Sequence, residues 1–167
     1  MIAELAIERV AIWASMECEK QRSGEMSVGW MVRGWRLAYQ HYLAPQLLPT
    51  LDNIAMLGRC VEPIKNQGVD RSTWRQVNIR VGSNLKPPWQ TITAAMMKWE
   101  EEGMHTVGWD RDEVYRQFEE IHPFRDGNGR VGTILWNWLG GTLAPQNLDF
   151  PPSFWGEQRL VMPPDWE

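Results

Sequence analysis

The chain has 167 residues, 43% hydrophobic and 23% charged, with 17 Lys and Arg against 21 Asp and Glu and a formal net charge of −4. That length and balance predict a single domain, 1–167, large enough to bury a proper core. The acidic balance makes nucleic acid an unlikely partner, because a general nucleic-acid binder carries a basic face. Cys18 and Cys60 stand in no paired motif, so neither a disulfide framework nor a zinc site is expected, and a reducing compartment is. No run reaches the roughly 20 apolar residues of a membrane span. Glu4, Glu8 and Arg9 interrupt the first stretch, which therefore lacks the apolar core of a signal peptide. A cytoplasmic protein with no membrane partner is the expectation. The 11 tryptophans are read as large rings filling a helical core.

The elements follow in chain order. Ile2, Ala6, Val10 and Trp13 recur at helical spacing and predict a helix over 2–20. "VGWMVRGWRLAYQHYL" predicts a second over 28–43, ended by Pro45 and Pro49. "LPTLDNIAMLGRCVEPIKN" predicts a third, with Thr50 or Asp52 as N-cap. From Ser72 to Asn84 the pattern changes to alternation, with Trp74, Val77, Ile79 and Val81 against polar neighbours and a Gly-Ser-Asn turn, the sign of a short hairpin. "PPWQTITAAMMKWEEEG" predicts a helix opened by Pro and closed by Gly. In "DRDEVYRQFEEI" Asp110 and Glu113 form a capping-box pattern and Val114, Phe118 and Ile121 share a face. "GRVGTILWNWLGG" predicts a last helix, ended by two glycines, and a Pro-rich tail from Pro145 wraps the surface. The sum is an all-α fold with one small β element, its core roughly 28–142.

Chemistry concentrates in "IHPFRDGNGRVGTI", residues 121–134. One helix ends at His122 and the next begins near Gly129, so the short turn brings a helix start beside a helix end. A helix start offers unpaired N–H groups and partial positive charge, a seat for phosphate. Gly127 and Gly129 let an anion approach the backbone. Asn128 is a good N-cap with an amide donor, and Arg130 adds a fork that matches phosphate. Asp126 is placed to hold a divalent cation against phosphate oxygens. His122, with an ordinary pKa of about 6.5, can serve as a neutral base. Base, cation and anion cradle together point to phosphate-ester chemistry.

The nine residues His122 to Arg130, "HPFRDGNGR", resemble the signature of the Fic family, H-x-F-x-[D/E]-G-N-G-R, at every fixed position. The resemblance implies a Fic-type helical domain with a β-hairpin flap. It implies transfer of AMP from ATP to a Ser, Thr or Tyr hydroxyl of a target protein. In that reading His122 takes the hydroxyl proton and Asp126 binds Mg²⁺. Gly127, Asn128 and Gly129 surround the α-phosphate, and Arg130 steadies the departing pyrophosphate. Phe124 is the inward anchor of the loop. Trp74, Arg75, Val77 and Ile79 belong to the flap that docks the target segment by main-chain pairing. Gly129, where phosphotransferring relatives carry lysine, favours nucleotidyl transfer. No G-x-x-x-x-G-K-[ST] phosphate loop occurs.

One position departs from the pattern. Many Fic proteins continue G-R-x-x-R, whereas Thr133 stands where the second arginine would hold the γ-phosphate. Charge-assisted bonds are worth about 1.5–3 kcal/mol, so ATP binding is expected to weaken roughly 10- to 100-fold. Three expectations stand side by side. Arg33, Arg75 or Arg80 compensates; the donor is a diphosphate compound other than ATP; or the fold binds a partner without catalysis, in the manner of an antitoxin-like module. The family's inhibitory helix, [S/T]-x-x-x-E-[G/N], is partly resembled by "SMECEK", in which Ser15 and Glu19 fit and Lys20 does not, making Glu19 the candidate inhibitory residue. An antitoxin is a further candidate partner.

Overall fold

The structure is a computed structural model that describes residues 2–43, 47–105 and 108–164. Six α-helices and one hairpin are described: α1 (Ile2–Lys20), α2 (Met26–Leu43), α3 (Leu51–Val61), β1 (Arg80–Val81), β2 (Asn84–Leu85), α4 (Ile92–Trp99), α5 (Arg111–Ile121) and α6 (Asn128–Leu139). The protein is all-α with a small two-stranded antiparallel sheet. Pro45, expected to end α2, lies outside the described residues; the helix stops at Leu43. Among the described residues no helix is long and apolar enough to cross a membrane.

The centre is α6. Every residue from Arg130 to Leu139 is buried, as befits a helix apolar almost all round. α1, α2, α3 and α5 pack about it. Gly34 of α2 lets Ile134 of α6 come close, for a Cβ there would stand 3.2 Å from its Cδ1. Trp13, Trp35, Trp74, Trp99, Trp136 and Trp138 are buried, as expected, whereas Trp89 and Trp155 are exposed and do not fill the core. An indole N–H cannot be buried unpartnered without cost. Trp13 donates to Asp149 O at 3.0 Å, Trp35 to Leu143 O at 2.8 Å and Trp138 to Leu47 O at 2.9 Å, whereas the Trp74 indole N–H has no partner among the described residues. The first two bonds, with Asn137 donating to Asp149 O at 2.9 Å, hold the C-terminal tail on the helices.

The caps show what local sequence decides. Thr50 caps α3, exchanging bonds with Asn53 in a reciprocal box, while Asp52 sits inside the first turn. Asp110 caps α5 by accepting from Asp112 N at 2.7 Å. The expected box with Glu113 does not form, because that carboxylate binds Arg116 and Gln117 on its own helix. The helix after Pro88 begins as a 3₁₀ turn, Trp89–Thr91, and ends as a π turn, Glu100–Met104. The hairpin is shorter than its alternation predicts. Only Arg80↔Leu85 and Val81↔Asn84 pair, around Gly82 with φ +58.

Candidate active site

The turn between α5 and α6 is fixed from within. His122 closes α5 in the left-handed conformation, φ 55 and ψ 65, its N–H donating to Phe118 O at 3.0 Å. Pro123 follows and prevents continuation. Phe124 turns inward and is fully buried, edge-on to Trp74 with ring centroids 5.7 Å apart and 6.4 Å from Phe118. Its ring lies on Gly58 of α3, where any Cβ would overlap it. The family resemblance places the motif's inward anchor at this residue. Asn128 holds both polar groups of that residue: its Oδ1 accepts from Phe124 N at 2.9 Å and its Nδ2 donates to Phe124 O at 2.8 Å.

That bond pair corrects the reading of Asn128 as N-cap and phosphate donor. The cap is Gly127, at φ +84, and Asn128 is the first helical residue, its amide turned into the loop. Gly127 has a double reason to be glycine: a Cβ there would also stand 2.9 Å from Val61 Cγ2. The first bond of the α6 ladder runs from Val131 N to Gly127 O, 2.9 Å. The main-chain N–H groups of Asn128, Gly129 and Arg130 thus precede the ladder, as at any helix start. The Gly127 N–H donates to Asp126 Oδ1 at 2.7 Å, so the amides that can face an anion begin one residue later than predicted.

A cavity of about 710 Å³ opens over this helix start, and His122, Asp126, Gly127, Gly129 and Arg130 all line it. The His122 ring is 15% exposed. Its Nδ1 lies 3.1 Å from Glu119 O; a carbonyl only accepts, so Nδ1 carries the proton and Nε2 keeps its lone pair. Burial lowers the imidazole pKa to about 4; the charges of Lys86 and Arg75 push the same way, against the Glu119 carbonyl. His122 is therefore neutral at pH 7.

Asp126 Oδ2 meets Lys65 Nζ at 2.6 Å, and its Oδ1 is 3.5 Å from Arg130 Nη2. Burial pushes this carboxyl up, but the Lys65 and Gly127 bonds outweigh it and hold it below the ordinary value. Among the described residues no group of three or more His, Cys, Asp or Glu could hold a divalent cation. A single ionised carboxylate still fits Mg²⁺ bound chiefly through substrate phosphates, provided Lys65 yields its place.

Arg130 corrects its own expectation. It is 2% exposed, donates to Val61 O at 2.7 Å and sits 3.7 Å from Glu62, so its guanidinium is tied to the end of α3. Of the flap residues, Val77 is exposed and Ile79 half-buried, but Trp74 and Arg75 lie in the interior. Arg75 donates to His122 O at 2.7 Å, Val77 O at 2.8 Å and Pro87 O at 2.7 Å, and its N–H donates to Pro123 O at 3.0 Å. It clamps the root of the hairpin to the motif and is not free to replace an arginine at 133. Arg33 is also engaged elsewhere, donating to Cys60 O at 3.1 Å. Arg80 does line the cavity, as do Lys20, Lys86 and Arg125, which the sequence did not single out.

Thr133 is 1% exposed, and its side chain stands by the carboxyl of Glu17, not Glu19. Glu19 faces solvent, whereas Glu17 is 2% exposed. Helical spacing held the signal: Val10, Trp13 and Glu17 run along one face, and Gln21 continues it. Gln21 donates to Glu17 Oε1 at 2.9 Å and its amide lies against Gly129, where a Cβ would overlap it. Glu119 completes this corner. It is buried, its Oε1 has no partner among the described residues, and its pKa is pushed up to about 8 by burial and then by Glu17. Burial raises the Glu17 carboxyl as well. Two acids thus meet beside Gly132 and Thr133.

A comparison with curated proteins finds no match. The family model described as the Fic/DOC family matches residues 52–139, more than half of the chain and inclusive of α3, the hairpin, α4, α5, the motif loop and α6. With the loop geometry above, this settles the kinship: the chain belongs to the Fic/DOC family.

Proposed function

We propose that this chain transfers AMP from ATP to a hydroxyl side chain, Ser, Thr or Tyr, of a target protein in the cytoplasm. The observation that carries the reading is His122: a neutral imidazole, its Nδ1 proton fixed on Glu119 O, lining the same cavity as the start of α6. The target oxygen forms a bond to the α-phosphorus and the bond from that phosphorus to the pyrophosphate breaks. The hydroxyl proton goes to His122 Nε2. The amides of Asn128, Gly129 and Arg130 face the charge that gathers on the α-phosphate. Asp126 is the residue to hold Mg²⁺, which when bound neutralises phosphate charge. Most of the rate then comes from positioning and electrostatic support.

A second reading has its own support. Thr133 is sealed beneath Glu17, and Gln21 lies on Gly129, an arrangement suited to a fold that binds a partner, such as an antitoxin or its target, without turnover. A donor other than ATP, a diphosphate lacking the γ-phosphate, is a third. Transfer of label from α-labelled ATP in the presence of Mg²⁺ separates them. The wild type is expected to label a co-incubated protein, and His122→Ala to lose ~10²–10⁴-fold in rate, the usual loss of a positioned base. Equal labelling by both would remove His122 from the mechanism.

A further inference from the structure

The C-terminal tail, beyond the segment 52–139 matched by the family model, supplies a wall of the cavity. Trp155 lines the space that His122 and the start of α6 line, and 43% of its surface is open. The other aromatic side chain there, Tyr115, is only 6% exposed. Trp155 is held in place: Phe154 stands edge-on at 5.8 Å, and Phe154 in turn packs against Tyr115 of α5 at 6.4 Å. Beyond it Glu157 pairs with Lys20 at 3.5 Å. Lys86 Nζ lies 6.0 Å from the Trp155 ring centre and donates to Glu119 O at 3.4 Å, the oxygen that also takes the His122 Nδ1 proton. One lysine therefore links the indole to the catalytic base.

The chemistry of the lining divides the cavity. Amides at the start of α6 and the cations Lys20, Arg80, Lys86 and Arg125 suit phosphates. A flat, weakly polar base needs a plane to stack on, because every nucleobase has a π-face; the open indole of Trp155 offers one, whereas the apolar Ile79 and Val81, which also line the cavity, have no ring. We infer that Trp155 is the platform on which the nucleobase of the donor stacks, a binding residue outside the family motif. This rests on the nucleotidyl-transfer reading above and adds where the base lies. It also offsets the missing charge at Thr133, since affinity lost at the phosphate end is supplied at the base end.

Calorimetry with ATP and with inorganic tripolyphosphate, both with Mg²⁺, tests it on the full chain. Trp155→Ala is expected to weaken ATP about tenfold, and Trp155→Phe less than threefold. Tripolyphosphate, which has no base, should bind all three proteins alike. Unchanged ATP affinity in Trp155→Ala would overturn the inference and leave nucleotidyl transfer standing. Equal weakening of both ligands would also overturn it, by showing that the tail shapes the phosphate site. If the wild type binds no ATP, the transfer reading falls, and stacking with it. Melting temperatures without ligand check that the half-open Trp155 can be replaced without unfolding.

Discussion

The motif loop and the hairpin above it border the same cavity and are built in opposite ways. In the loop, Pro123, Phe124, Gly127 and Asn128 are buried, and both polar main-chain groups of Phe124 are bonded to one amide. In the hairpin every residue from Arg80 to Leu85 is exposed, and two residue pairs plus Lys86 N to Ile79 O hold it together. Arg75 is the joint, bonded to His122 O on one side and to Val77 O and Pro87 O on the other. Reacting groups need fixed positions, since a small displacement of a base costs rate. A surface meant for a partner gains by remaining open and locally adaptable. Under the proposed function the difference is a division of labour, and it can be attacked from each side.

The largest effect belongs to the rigid half. Phe124→Ala removes a fully buried ring lodged among Gly58, Trp74 and Phe118. The surroundings are held by helices and cannot close over the gap. A loss of about 3–5 kcal/mol in unfolding free energy is expected from urea denaturation. A loss under about 1 kcal/mol would mean that the loop does not depend on its anchor.

The turn that carries that anchor was legible because it is local, whereas the inward role of Phe124 came from the family resemblance and its ring partners Gly58 and Trp74 lie far off in sequence. Pro123, Phe124, Gly127 and Asn128 lie within six residues, and helical spacing on either side sets the turn between them. The long α1 and the Thr50 cap were legible for the same reason. The partners from elsewhere in the chain were not. Lys65 reaches Asp126 across 61 positions and Arg75 reaches His122 across 47, and no spacing rule connects such residues. Arg75 looked like part of a strand because alternation reports which residues share a face, not whether that face is covered. Glu19 was chosen by motif matching, although the run through Val10 and Trp13 pointed to Glu17. Asn128 was read from its chemistry as a phosphate donor, when the tight turn required that amide for the loop itself.

A middle effect sits beneath the loop, at Glu119. Its pKa rises from the ordinary 4.5 to about 8 on folding. Between those values the folded state holds more protons than the unfolded one, so this group's contribution to stability is lost as pH rises through that window. Glu119→Gln cannot titrate. It should flatten the decline between about pH 4.5 and 8 and exceed the wild type at pH 9 by more than about 1 kcal/mol. Glu17, raised in the same sense, leaves some slope behind. His122 acts oppositely: lowered from 6.5 to about 4, it costs stability as pH falls through that range. Urea midpoints at pH 5, 7 and 9 check both signs, and parallel profiles for wild type and Glu119→Gln would show that Glu119 is not the proton holder.

The smallest effect on stability, and the most telling, lies in the hairpin. Val81 is 46% exposed and Leu85 66%, and neither belongs to the hydrophobic core. Replacing both by Ser should change unfolding free energy by no more than about 0.5 kcal/mol, the usual range for surface sites. If the hairpin docks the target, the same protein should show a KM for that target raised several-fold at unchanged kcat, because the contacts removed are made equally in the bound and transition states. A fall in kcat with KM unchanged would place the hairpin in the rigid half instead, coupled through Arg75 to His122. The two halves would then act as one unit, and the separation drawn between them would be wrong.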